Sequence, residues 1–157
     1  KFDLTSGIKN RRAFINKMLL LNKNKRNTAI VVLDLNDLKK INDSRGHDEG
    51  DEAIYKSAQI LQESFKDIGT AYRIGGDEFC VLCVNSSKGQ IEDALMKLLK
   101  LLEESNNRND LKIAFAYGYD FYTGMQDIFE VFEVADKKMY EHKAQIKGFY
   151  GRRREDK

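Results

Sequence analysis

The 157-residue chain has no proline, no tryptophan and only two cysteines. It also lacks any apolar run of the roughly 18 residues that a membrane-spanning helix needs, so no such helix is expected. Without proline there is no proline-rich linker, and neither an internal repeat nor a low-complexity segment is present. Charge of one sign is equally scarce. The 27 Lys and Arg against 25 Asp and Glu leave +2, too little to imply nucleic-acid binding. Cys80 and Cys83 have the spacing of a zinc or redox pair. They fall in a strand pattern, however, where residues three apart point to opposite faces. They are expected to be two buried apolar fillers in a reducing, cytoplasmic protein. No signal peptide is visible, and Lys1-Phe2-Asp3 reads as the cut edge of a longer protein.

What is present suits one soluble globule: 41% of residues are hydrophobic and 33% charged. That length supports a single domain with one core over residues 1–157.

The most informative stretch is Arg73-Ile74-Gly75-Gly76-Asp77-Glu78-Phe79. Ala71-Tyr72 precedes it and Cys80-Val81-Leu82-Cys83-Val84 follows, two apolar strand-like runs joined by Gly-Gly. That pattern predicts a β-hairpin, with glycine supplying the positive φ of a tight turn. Adjacent carboxylates at the turn repel one another, so Asp77 and Glu78 point either to a cation, alone or with phosphate, or to a solvated tip.

Elsewhere, Asp3 to Arg12 opens with turn chemistry and enters a helix carrying Phe14, Met18 and Leu21. Thr28 to Leu33 is an unbroken run rich in β-branched residues, the pattern of a central strand buried on both faces. It ends in Asp34-Leu35-Asn36; a carboxylate there is either at a solvated rim or a ligand. A short helix over Asp37 to Asp43 is broken at Ser44-Arg45-Gly46-His47. A longer one follows with Ile54, Ala58, Leu61 and Phe65 as its core stripe. Gln90 to Glu104 reads as a helix, Ser105 to Asp110 as a polar loop and Leu111 to Tyr119 as a strand. That strand has one bulky face and one small face, Ala114, Ala116 and Gly118, which admits a closely packed helix. Asp127 to Ala144 is the last helix. Four strands with intervening helices imply an α+β antiparallel sheet covered mainly on one face. Taken alone, Asn42 and Asp51 read as a helix C-cap and a helix N-terminal acid. Arg152-Arg153-Arg154 reads as a solvated tail, not a nucleic-acid contact.

Three motifs carry a family resemblance. Asp34-Leu35-Asn36-Asp37-Leu38-Lys39-Lys40-Ile41-Asn42-Asp43, followed by Gly46-His47 and Gly50-Asp51, resembles Asp-x-Asp-x-Phe-Lys-x-Ile-Asn-Asp, Gly-His, Gly-Asp. Gly75-Gly76-Asp77-Glu78-Phe79 matches a defining Gly-Gly-Asp-Glu-Phe. Ala135-Asp136 through Lys143 resembles Ala-Asp-x-Ala-Leu-Tyr-x-Ala-Lys. The entry, with Gly7, Asn10, Arg11 and Arg12, is similar too, although Thr5 and Ser6 replace a Leu and a Thr. Together these resemble the GGDEF family of diguanylate cyclases, which join two GTP molecules into cyclic di-GMP and release pyrophosphate.

The resemblance implies a ferredoxin-like, polymerase-palm sheet. It implies Mg²⁺ (or Mn²⁺), two ions per active site, held by Asp34, the Leu35 carbonyl, Asp77 and Glu78, with Asp77 and Glu78 catalytic. It implies guanine contacts from Asn42 and Asp51. An Asp acceptor suits the N1–H and amino donors of guanine, whereas adenine offers a lone pair at N1. Phosphate contacts are implied for Asp37, Leu38, Lys39, Gly75, Gly76, Lys143 and Lys147, the last replacing an Arg as a point charge. His47 is expected to brace its loop, and Arg73 is either structural or phosphate-facing. Turnover is expected to need a homodimer, because one site holds one GTP and the product needs two. An upstream sensor domain is expected in the parent protein, with no direct membrane contact from this segment. Lys66 and Gly69 stand where an inhibitory Arg-x-x-Asp would be, so product inhibition there is not expected. A silent GTP-binding regulatory domain is the alternative to an active cyclase.

Overall fold

The computed structural model describes residues 1–109 and 112–155, with side chains through residue 147. Thr28–Leu35 (β1) is buried along its whole length and is the strand on which the others are laid. It pairs antiparallel with Glu78–Val84 (β3) on one side and Phe115–Tyr122 (β4) on the other. Thr70–Arg73 (β2) pairs antiparallel with β3, giving one four-stranded sheet in the order β2-β3-β1-β4. The helices are Arg11–Lys23 (α1), Leu38–Arg45 (α2), His47–Phe65 (α3), Lys88–Arg108 (α4) and Ile128–Glu155 (α5). This is the expected order and the expected α+β antiparallel sheet.

Helices cover both faces of the sheet, not mainly one. Ala29, Val31, Leu33 and Leu35 of β1 pack with α3 and α4. Ile30 and Val32 pack on the other side with α1 and α5. The reason lies in β1 itself: a strand apolar at every position buries both faces, and each face then needs its own helical layer. Cys80 and Cys83 go to opposite layers as free, buried thiols. The expected stripe of α3 is fully inside.

The small face of β4 explains how α5 comes so close. A Cβ added at Gly118 would lie 2.3 Å from the Met139 nitrogen and 2.5 Å from the Ala135 carbonyl oxygen. Glycine there is a packing requirement that brings α5, and its polar residues, over the end of β1.

Several boundaries move. Helix α4 begins earlier, at a Ser87–Gln90 capping box, and runs through the expected loop to Arg108. Strand β4 starts at Phe115; Asp110 and Leu111 lie outside the described residues, as do the side chains of Arg152, Arg153 and Arg154. Helix α5 continues well past Ala144. The Gly75-Gly76 turn does form a hairpin, but without left-handed glycine, since the positive-φ glycines are Gly7, Gly46 and Gly124.

Candidate active site

The register of β1 and β3 decides the site. Asp34 is directly opposite Glu78, and the Leu35 N–H donates to the Asp77 carbonyl at 2.7 Å. The end of the central strand and the start of the hairpin's second strand therefore meet. Alternation puts Asp34 and Glu78 on the α5 side of the sheet, with Ile30, Val32 and Cys80. There Lys143, from α5, donates a hydrogen bond to Asp34 Oδ2.

Asp34 is only 5% exposed, and its Oδ1 has no hydrogen-bond partner. Burial raises its pKa, the Lys143 ammonium opposes that rise, and the Asp77 charge adds to it. Glu78 is pushed up to about 7 by burial first, then by Asp136, Asp34 and Asp77. Lys143 is raised by its bond to Asp34. Asp34, Asp77 and Asp136 thus each act on Glu78, while Lys143 bonds Asp34. Asp136 fills the Asp of the closing Ala-Asp motif but was given no role in the sequence; its Oδ1 too is buried and unpartnered. Asn36, where the motif has its second Asp, also has a buried, unpartnered Oδ1.

Among the described residues no three His, Cys, Asp or Glu side chains are already drawn together as metal ligands. The donor set still fits a hard divalent cation. Mg²⁺ takes one or two carboxylates and completes its shell with water and phosphate oxygens, and Asp34 Oδ1 is a buried anionic oxygen with nothing donating to it. A cation there would relieve the repulsion that raises Glu78.

The remaining expected residues lie on α2, α3, α5 and the Gly-Gly turn. Asp37 adopts a left-handed φ of 63° as the chain turns from β1 into α2, and its side chain does not cap the helix. The leading amides of α2 are thus left to other partners. Leu38 is buried while Lys39 and Lys147 are exposed. Asn42 lies against α3: a Cβ added at Gly50 would be 1.6 Å from Asn42 Oδ1. The Asn42 amide fills the space that a side chain at position 50 would take, with exposed Asp51 next in the chain. Gly75 and Gly76 are exposed, and a Cβ added at Gly76 would meet nothing within 4 Å.

Arg73 is structural. Its guanidinium donates to the Gly76 carbonyl at 2.7 and 3.2 Å and to Asp3 Oδ2 at 3.0 Å, bracing the turn from below. His47 stands exposed at the first position of α3 instead of within the loop. Lys66 bonds Glu63 at 2.8 Å. At Gly69 a Cβ would lie 2.6 Å from Cys83 Sγ and 2.8 Å from the Leu82 carbonyl oxygen, so no larger residue fits without a shift. Among the described residues no helix is long and apolar enough to cross a membrane.

The chain is similar to known proteins along most of its length. The family model "Diguanylate cyclase, GGDEF domain" matches residues 1–148. Diguanylate cyclase DgcS of Shewanella oneidensis is 27% identical over 95% of this chain and 51% of its own length. Diguanylate cyclase DgcN of Escherichia coli is 31% identical over 91% of this chain and 37% of its own length. The chain therefore spans about half or less of these relatives. The GGDEF domain of DgcB from Caulobacter crescentus, solved in complex with c-di-GMP, superposes with a TM-score of 0.81. That match covers 92% of this chain and 90% of that one at 22% identity, a likeness of fold. With the family model spanning both the acid-bearing strand end and the Gly-Gly-Asp-Glu-Phe turn, the chain belongs to the GGDEF domain family.

Proposed function

We propose that the chain is an active diguanylate cyclase domain, one unit of a longer protein, converting two GTP into cyclic di-GMP and two pyrophosphates. The observation that carries this reading is the buried, unpartnered Asp34 Oδ1 directly across the ladder from Glu78. A buried carboxylate oxygen with no donor lowers stability, and here a bound cation is what would balance it.

Asp34, the Leu35 carbonyl, Asp77 and Glu78 would hold Mg²⁺ or Mn²⁺, which when bound neutralises triphosphate charge and acidifies the attacking 3′-hydroxyl. Everything else falls to the protein's own groups. Lys143, bonded to Asp34, would turn its ammonium toward the triphosphate and so free Asp34 for the cation. Gly75 and Gly76 let phosphate oxygens reach the turn backbone, and the amides at Asp37 and Leu38 add donors at a helix start. Lys39 and Lys147, both exposed, serve as mobile point charges. Asn42 and Asp51 read the guanine edge. Asp77 is the candidate to accept the hydroxyl proton. One site aligns one nucleotide, so two copies facing each other about a two-fold axis would bring the 3′-hydroxyl of one GTP in line with the α-phosphorus of the other.

The test is incubation of the purified domain, fused to a dimerising coiled coil, with GTP and Mg²⁺. Cyclic di-GMP should accumulate with two pyrophosphates released per product. GTP binding without any cyclic dinucleotide in the fused dimer would sink the proposal and leave a silent regulatory domain.

A further inference from the structure

We propose that His142, on α5, is a positioning residue for Lys143, fixing the helical turn from which that ammonium reaches the triphosphate. This rests on the reading that Lys143 serves the phosphates of GTP.

Strand β4 lies at the edge of the sheet, where half of the backbone groups have no strand to pair with. Two of them are taken up by α5. The Tyr117 N–H donates to His142 Nδ1 at 3.0 Å, and the Tyr119 carbonyl accepts from Lys138 at 3.3 Å. Two residues of strand span about 6.6 Å and four residues of helix about 6 Å, so Lys138 and His142 keep step with the edge. The imidazole also meets the Tyr117 ring edge-on, with centroids 4.6 Å apart. An Nδ1 that accepts carries no proton, so the neutral ring holds its proton on Nε2.

The next residue is Lys143, bonded to Asp34. Tyr117 stands opposite Leu33, and Ala116 opposite Asp34, on adjacent rungs of one ladder. Consecutive residues of α5 therefore hold the outer strand and the central strand. Among the described side chains, Met139 is the last of α5 to be buried. Past it the core no longer grips the helix, and the His142 bond does so in its place. That bond does not depend on what Lys143 touches, so the turn stays put when the ammonium swings from Asp34 to phosphate. The motif that this segment resembles has alanine at the position of His142, and alanine offers no acceptor.

The probe is α,β-methylene-GTP with Mg²⁺, its affinity measured by calorimetry on the parent, His142→Ala, His142→Asn and Lys143→Ala. Asparagine places an accepting Oδ1 near the position of histidine Nδ1, without the ring. His142→Ala should weaken the analogue by about 3- to 10-fold, the worth of one hydrogen bond, and His142→Asn should restore most of that affinity. Amide exchange at Tyr117, followed by NMR, should quicken in His142→Ala and slow again in His142→Asn. If His142→Ala binds the analogue like the parent while Lys143→Ala weakens it, His142 only covers the strand edge; the proposal is wrong and the role of Lys143 stands. If Lys143→Ala also binds like the parent, Lys143 does not serve the phosphates and this proposal falls with that reading. If His142→Asn binds as weakly as His142→Ala, ring packing and not the accepted bond is what matters, and the proposal is wrong.

Discussion

Asp3 and Asp34 are two carboxylates that each touch one cation, yet their surroundings send them in opposite directions. Asp3 accepts from the Ser6 N–H at 2.8 Å and from Arg73 at 3.0 Å. Burial alone would raise its pKa, but Ser6 and Arg73 outweigh it and the value is lowered. Asp34 touches Lys143, but it is deeper, has an oxygen with no partner, and shares its space with Asp77 and Glu78; its pKa is raised. The first is a carboxylate used for stability, bracing the arginine that braces the hairpin turn. The second lowers stability unless something arrives. A buried charged oxygen left unsatisfied in an otherwise well-paired fold marks a candidate functional site.

The comparison breaks most visibly under substitution. Asp34→Asn should cut cyclic di-GMP formation by about 10²–10³-fold or more, the scale of losing one charge-stabilising group, while the metal-free domain melts no lower than the parent. Asp3→Asn should do the reverse. It weakens a charge-assisted pair worth roughly 1.5–3 kcal/mol, lowering the melting temperature, with a smaller loss of rate. Thermal melts and product assays on both variants check the crossing. Two variants that shift rate and stability together would erase the distinction.

A second contrast lies in glycines flanking β2 and the turn. Gly69 is walled in by Cys83 and Leu82, whereas Gly76 faces open space. Gly69→Ala should cost about 1–3 kcal/mol of stability through overpacking, with GTP affinity unchanged. Gly76→Ala should fold normally and lose GTP affinity several-fold, because the added methyl stands where phosphate approaches. The same confinement means that restoring an Asp at Gly69 would strain β3 before it built an inhibitory site.

These contrasts show what the sequence could and could not carry. The element order, the α3 stripe, the opposed cysteines and the small face of β4 were legible, because burial period and residue size encode them directly. Asp34 and the hairpin acids stood out because a carboxylate after a run of apolar residues conflicts with its surroundings. Asp136 matched its motif position yet was given no role, since a polar residue on an amphipathic helix conflicts with nothing until α5 is seen pressed onto Gly118. The second helical layer was implied by β1 but lost when the elements were summed. Left-handed glycine was expected at the Gly75-Gly76 turn because glycine permits it; in the fold those positions supply room instead.

The smallest effect is the most diagnostic of the opening contrast: stability against pH in chelator. Glu78 ionises at about 7 in the fold against an ordinary 4.5. The folded state thus holds its proton over a range where the unfolded chain has released it. Its contribution is fully present below pH 4.5 and is lost as pH rises through about 7; Asp34, raised as well, has the same sign. Asp3, lowered from 3.8, contributes above that value and loses its contribution as pH falls through its folded pKa. Melting temperature should therefore climb as pH falls from about 7 toward 4.5, then drop in stronger acid as Asp3 is neutralised. Glu78→Gln should flatten the climb and leave the acid drop, and Asp3→Asn should blunt the drop and leave the climb. A parent protein whose melting temperature falls steadily from neutral pH downward would mean that the acid cluster is better solvated than its burial indicates, and that Asp34 and Asp3 differ in position but not in kind.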